Sequence, residues 1–393
     1  MNITPEQIRQ WVTDIHDESI SIRRYLHAHP EVSFEEYETT RYLASLLDEW
    51  KIPYTLNPAG CGLVGRLDPV IPSTTSAPVL AFRSDIDALT IQEETGCDFA
   101  SVNPGKMHAC GHDIHMTILL GLAHILSEHR DQLTHPVRFI FQPAEENYPG
   151  GADAMIKTGL LEDVDCYYGL HVAPDLPVGT IGVRPGPTMA TPTTFHITIE
   201  GRSGHGATPQ EAVDPVVTAS HLVLALQSIV SRNVSPFDTA VLSVCHIESG
   251  TTHNIIPQYA KLTGTVRTFS EEVLVQIEAR MRTICENICH AMGATCELTL
   301  DRGYPVVDNQ PEPTQLIEAA ACFMGHHVYA KAPAMIGEDF AYYIQHRTGC
   351  FFHLGTASDA PGSRAGLHNS RHMPDEAAIA VGIETMLAAY FLE

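Results

Sequence analysis

The sequence contains no run of about 18 uninterrupted apolar residues, so it offers no candidate for a membrane-crossing helix. Basic residues are scarce: 23 Lys and Arg stand against 47 Asp and Glu, a formal charge of −24. That balance argues against a nucleic-acid partner, whose phosphates demand a basic footprint. It also argues against an anionic membrane surface. A paired-cysteine framework is missing too; the ten cysteines are scattered, as expected for reduced thiols. Cys285 and Cys289, on a helical stretch, read as small buried hydrophobes. The opening residues lack the positive start and apolar core of a secretory leader. They read instead as a helix start, with Thr4 as cap, Pro5 at the first helical position and Gln7 closing a capping box. Ile8, Trp11, Val12, Ile15, Ile22 and Leu26 then follow at helical spacing. A soluble, cytoplasmic chain is the expectation. Histidine, by contrast, is abundant: the 22 residues nearly match Lys plus Arg and prompt a search for metal sites.

Along the chain, strand-like and helix-like segments alternate through the first half, which predicts α/β architecture. Helices are expected over 33–50 and 111–128, and apolar strands over 78–83, 136–141 and 165–170. Continuous apolar strands separated by helices imply a central sheet covered on both faces. Residues 69–77 form a polar, Pro/Ser/Thr-rich loop. The pattern changes near Gly186-Pro187. Beyond it, period-two strands and two long helical stretches follow a βαββαβ order, a ferredoxin-like split βαβ sandwich. The expected organisation is a catalytic domain over 1–186 and 303–393, interrupted by an α+β domain over 187–302.

Four clusters carry chemistry. Met107-His108-Ala109-Cys110-Gly111-His112-Asp113-Ile114-His115 sits at a loop-to-helix junction, where Cys110 and His112 can converge on one ion. A thiolate and an imidazole suit zinc, nickel, cobalt or manganese, zinc being the usual choice. A lone Cys-x-His is more often an ordinary helix start. The second cluster, Gln142-Pro143-Ala144-Glu145-Glu146, follows a buried strand. Adjacent glutamates usually mean a solvated loop, but open α/β sheets bind ligands beyond the carboxyl ends of their strands. There, one carboxylate can bind metal while the other faces an attacking water. His171 is again at a strand end. His368 and His372 lie in a Gly/Ser/Asn-rich loop before the last helix, and spacing does not choose between them.

Taken in order, these clusters resemble the M20 metallopeptidase family, in particular its amidohydrolase branch of N-acyl-amino-acid, hippurate and auxin-conjugate hydrolases. The resemblance extends through Arg24–Glu31, Arg83–Leu89, Met107–His115, Gln142–Glu146, Gly204–Pro209, His253–Pro257 and Gly337–Tyr343. It implies that Cys110, His112, Glu146, His171 and His368 bind two divalent ions and that Glu145 is the general base. His368 is preferred over His372 because the family's last ligand precedes an acidic residue, here Asp375 or Glu376. Many members carry His-x-Asp where this chain has Asp85-Ile86-Asp87, so Asp87 is expected behind a ligand, orienting it. The resemblance further implies that His205 polarises the scissile carbonyl from a partner subunit. A homodimer through the inserted lid or dimerisation domain follows. Asn254 and Arg267 are expected to hold the substrate, Arg267 through a free carboxylate.

The expected reaction is hydrolysis of an N-acyl amino acid, with a dipeptidase or carboxypeptidase acting on a short peptide as the near alternative. A cysteine hydrolase using Cys110 and a non-catalytic metal-binding protein are the readings from other classes. Chelation separates the first of these from a metal enzyme, and an acid beside the metal with no ligand role argues against the second. An exposed Cys110 thiolate of low pKa would also be open to oxidation.

Overall fold

The structure, a computed structural model, describes residues 3–70 and 77–393. Of the polar loop read at 69–77, positions 71–76 lie outside the described residues. The chain forms two compact units, one comprising 1–186, 308–332 and 339–393, the other 187–307 and 333–338.

The capping box at Thr4 and Gln7 is present and opens the helix Pro5–Asp14. The single long helix suggested by the apolar spacing is in fact two. Ile15 leaves helical geometry (φ −102°, ψ 7°), and a second helix, His16–Ala28, begins beyond it. The hydrophobic period survives the break because Ile8, Val12, Ile15, Ile22 and Leu26 all face one core.

That core lies against an eight-stranded sheet. Its order is Tyr54–Leu56, Leu63–Leu67, Val137–Gln142, Leu80–Asp85, Cys166–Pro177, Thr348–Ala357, Thr180–Val183 and His327–Ala330. Leu80–Asp85 runs parallel to both Val137–Gln142 and Cys166–Pro177, and every residue of Leu80–Asp85 and Val137–Gln142 is buried. Strands buried on both faces need no alternation, which explains why they read as continuous apolar runs. Asp85 pairs with Gln142, and Arg83 with Gly169. The parallel register therefore delivers Asp85, Gln142 and His171 to the same edge, beyond which an open α/β sheet binds its ligands.

The helix His112–Glu128 starts at this edge and is buried continuously from His112 to Ala123. It packs against Ala377–Leu392 by a reciprocal fit. A Cβ at Gly121 would lie 2.4 Å from Ile383 Cδ1, and one at Gly382 would lie 2.5 Å from Ile118 Cδ1. Each helix thus gives a glycine to the other's isoleucine, and the close approach holds the helix that carries His112 and His115.

The second unit contains a four-stranded antiparallel sheet in the order Ala240–Ser249, Tyr259–Thr268, Thr191–Glu200, Thr295–Arg302. Thr191–Glu200 alternates between buried and more exposed positions. Phe195, Ile197 and Ile199 meet Leu222, Leu226 and Ile229 of the helix Pro215–Arg232, with Ile277 and Met281 of Glu271–Ala291. Asp214 caps the first helix and Ser270 the second through their side-chain oxygens. Strand, helix, strand, strand, helix, strand is the order seen in the sequence. The short piece 333–338 joins this unit through the Ala334 amide, which donates to the Thr188 carbonyl at 2.9 Å.

Replacing Gly121 with Val overpacks the helix pair and lowers stability by about 1–3 kcal/mol, measured by urea unfolding. An unchanged midpoint would show that the two helices do not depend on the reciprocal fit.

Candidate metal centre

The turn Ala109-Cys110-Gly111 leads directly into the helix His112–Glu128. Gly111 has φ 81°, and a Cβ there would lie 2.4 Å from the Val172 side chain, so both conformation and space require glycine. Within this frame, hydrogen bonds determine where the imidazole protons sit. His112 Nδ1 lies 2.8 Å from the Asp87 carbonyl oxygen and 3.2 Å from Asp87 Oδ1. A carbonyl only accepts, so Nδ1 carries the proton and the neutral ring keeps its lone pair on Nε2. His171 repeats the device: Nδ1 donates to the Val172 carbonyl at 2.8 Å, and Nε2 faces Cys110 Sγ at 3.3 Å. His115 is the opposite case. The Val172 amide donates to its Nε2 at 3.0 Å, so its Nδ1–H donates to Asp85 Oδ1 at 2.6 Å. His115 thus has both ring nitrogens engaged, whereas His112 and His171 turn lone pairs inward.

Ligand-type atoms of Cys110, His112 and His171 all lie within 4.8 Å of one another. The same holds for Cys110, Glu146 and His368, and for His112, Glu145 and Glu146. His368 Nε2 is 3.3 Å from Glu146 Oε1, and the His368 amide donates to the Ala109 carbonyl at 2.8 Å. His372 is buried instead and donates from Nδ1 to the Ala365 carbonyl at 2.8 Å.

The electrostatics call for a cation. His112 Nε2 has no hydrogen-bond partner and lies 3.7 Å from Asp85 Oδ2 and 3.8 Å from Glu146 Oε1, the oxygen that His368 faces from its other side. Burial disfavours charge on His112, yet Asp85, Asp87 and Glu146 outweigh it and push its pKa up to about 10. Without metal Nε2 therefore holds a proton, and a bound ion would take that proton's place on the inward-facing nitrogen. Burial, reinforced by Glu146 and Glu145, pushes the Cys110 thiol well above its ordinary value. The expectation of an exposed, low-pKa thiolate is thereby corrected: Cys110 is buried among carboxylates, which disfavour its anion. Two inward ring nitrogens, a thiol and converging carboxylates fit divalent metal. Such an ion would compensate the buried anions and favour the thiolate.

Glu145 and Glu146 follow a turn in which Ala144 has φ 56°. Of the four non-glycine residues with positive φ among the described residues, Phe34, Ala144 and His368 lie in segments that build this site. Left-handed backbone costs an L-residue roughly 1–2 kcal/mol, and such strain gathers where surrounding structure enforces it. Asp87 is one enforcer. Its Oδ2 accepts from the Glu146 amide at 3.0 Å and from Ser33 Oγ at 2.7 Å, while Oδ1 faces His112.

Behind these groups lies a layer whose pairing the sequence did not disclose. Arg83 donates to Gln142 Oε1 at 2.9 Å, to Asp85 Oδ2 at 2.8 Å and to Asp339 Oδ1 at 2.8 Å. Asp339 Oδ2 accepts from the amides of Gly151 and Ala152, each at 3.0 Å. Arg83, Asp85, His115 and Asp339 all sit in motif strings, but adjacency in a string does not show that residues 83 and 339 meet.

In the second unit, His205 and Asn254 come together on a two-stranded ribbon. Ile255 pairs with His205, and the Gly206 amide donates to the Asn254 carbonyl at 2.9 Å. The Ala207 amide donates to His205 Nδ1 at 3.0 Å, which leaves the neutral ring's proton on Nε2. Arg267 lies apart, on Tyr259–Thr268, with Nε donating to Thr265 Oγ1 at 3.1 Å.

This fold and this cluster of donors belong to a known class. The model of peptidase family M20/M25/M40 matches residues 81–391, and the chain belongs to that family. It is a hydrolase acting on amide bonds. It is 41% identical over 373 residues to an N-acetyl-L-cysteine deacetylase of Bacillus subtilis, covering 95% of this chain and 86% of the relative. It is 36% identical over 379 residues to thermostable carboxypeptidase 1 of Saccharolobus solfataricus, covering 96% and 95%. Among solved structures, a Bacillus subtilis dinuclear metal binding peptidase of the M20 family superposes with a TM-score of 0.84 at 35% identity, covering 97% and 98%. No helix among the described residues is long and apolar enough to cross a membrane.

Arg83→Met strips two buried carboxylates of their cation and lowers stability by roughly 3–5 kcal/mol, measured by denaturant unfolding. A loss no larger than that of a surface substitution would show that Arg83 does not organise the strand ends.

Proposed function

We propose that the protein hydrolyses the amide bond of N-acyl amino acids, such as acetyl-, benzoyl- or arylacetyl-amino acids, using two divalent ions. The observation that carries this reading is the convergence of Cys110, His112, Glu145, Glu146 and His171 beside the central sheet, with the ligand nitrogens of both imidazoles turned inward. The sequence relationship to an N-acetyl-L-cysteine deacetylase supports the substrate class.

In this reading Cys110, His112, Glu146, His171 and His368 hold the ions, which are zinc, manganese, nickel or cobalt. Bound there, the metal supplies Lewis-acid activation of the carbonyl and of water. Glu145 takes the proton of the attacking water and returns it to the leaving nitrogen. Asp87 fixes the tautomer of His112 through Nδ1. His205 donates from Nε2 to the oxyanion that develops on the carbonyl. Asn254 and Arg267 bind the substrate, Arg267 at its free carboxylate. The relationship to a carboxypeptidase favours a second reading, the same chemistry on a short peptide.

His205 is supplied in this proposal by the second subunit of a homodimer formed through the 187–307 unit. The strand Ala240–Ser249 supports that arrangement: among the described residues it pairs on one side only, and it exposes Val241 and Ile247 along a sheet edge. All ten cysteines are free, which accords with a reducing, cytoplasmic location.

Glu145→Gln should retain its metal, measured by elemental analysis, while kcat falls on the order of 10²–10⁴-fold. Chelation should abolish wild-type activity and added divalent metal restore it; activity that survives chelation would favour Cys110 as a nucleophile. Mixing inactive Glu145→Gln and His205→Ala proteins under subunit exchange should recover part of the activity. A mixture as inactive as its components would rule out His205 acting across subunits.

A further inference from the structure

We infer that Glu36 is a positioning residue for the general base, gripping the backbone beside Glu145 and setting the direction in which that side chain points. The inference rests on the reading of Glu145 as the base. The Ala144 amide donates to Glu36 Oε1 at 2.7 Å, and the Glu146 amide donates to Asp87 Oδ2 at 3.0 Å. The Glu145–Glu146 peptide group directly after Glu145, and the Pro143–Ala144 peptide group one residue before it, are therefore each held by a carboxylate from a remote part of the chain. The grip is needed because Ala144, fully buried, is left-handed at φ 56°, a conformation that alanine does not favour unaided. The preceding residue is closed in as well: a Cβ at Gly151 would lie 1.9 Å from the Pro143 carbonyl oxygen.

Glu36 is itself anchored. It is fully buried just before the helix Tyr37–Glu49. Its carbonyl accepts from the Thr40 amide at 3.0 Å and from Thr40 Oγ1 at 2.6 Å. Thr40 Oγ1 in turn accepts from the Gly62 amide at 2.8 Å. Three residues earlier, Ser33 Oγ donates to Asp87 Oδ2 at 2.7 Å. The segment 33–36 thus touches both grips, with Phe34 between them held at φ 69°. A carboxyl group is an expensive choice for this buried position if packing were its only task. Burial and the negative charge of Asp87 push its pKa up to about 7. An apolar side chain would fill the space without that penalty but could not accept from Ala144.

The test compares wild type, Glu36→Ala, Glu36→Gln and Glu145→Gln as metal-loaded enzymes on N-acetyl- and N-benzoyl-amino acids, with metal content measured for each. Glu36→Ala should lower kcat by about 10–100-fold while KM and metal content stay at wild-type values. Glu36→Gln, which keeps an acceptor oxygen for Ala144, should stay close to the wild-type kcat. Where Glu36→Ala does not fold, Glu36→Leu fills the same space without an acceptor and should show the same loss. A wild-type kcat in the acceptor-free variant, equal losses in Gln and Ala, or a loss that follows metal content would each overturn the inference. An active Glu145→Gln would overturn the base itself, whereas an inactive one beside a fully active Glu36→Ala would overturn only the positioning role.

Discussion

Asp85, Asp87 and Glu146 surround one buried imidazole, and much of the unit that holds them answers to that concentration of negative charge. Carboxylates this far from water are tolerated only when paired and hydrogen-bonded. Arg83 compensates Asp85 from behind, His115 donates to its other oxygen, and Ser33 and the Glu146 amide hold Asp87. What these partners do not satisfy is the space in front of His112 Nε2, between Asp85 and Glu146. The remaining demand is for positive charge on the side where the thiol and the second lone pair converge. The requirement for metal is thus built into the unpaired part of an otherwise satisfied network.

Geometry follows from the sheet. Parallel strands carry Asp85, Gln142 and His171 to one edge, and the turn after Val137–Gln142 places two glutamates there. Strand ends alone would leave the turn loose. Its amides are instead held by Glu36 and Asp87, and its neighbour Gly151 by Asp339. Rigidity at this turn therefore comes from side chains on other segments, in keeping with the need to hold reacting groups in a narrow range of positions.

Much of this is legible in the amino-acid sequence. The capping box at Thr4, the βαββαβ order of the inserted unit and the buried parallel strands follow from local periodicity, and local periodicity is written in consecutive residues. Cys110, His112, Glu145 and Glu146 stand out because they sit at the start of a helix or just past the end of a strand. His171, read as a strand end, lies instead in the middle of Cys166–Pro177, since pairing with Thr348–Ala357 carries that strand on past it. The break at Ile15 is not legible, since apolar spacing continues across it and both helices face the same core. Nor is the state of Cys110. Its thiol is governed by Glu145 and Glu146 from another loop, so its own neighbours suggest an exposed thiolate where the fold buries a thiol.

By itself the sequence determined the residue types that can bind a divalent ion, and the order of strands and helices that brings them to a sheet edge. Only the tertiary structure decided which nitrogen of each histidine keeps its lone pair, because that depends on carbonyls and amides contributed from elsewhere. His112 and His115 lie in one motif, yet Asp87 turns one lone pair toward the site and Val172 occupies the other. The motif supplies the candidate ligands; the backbone groups facing it decide which of them can bind.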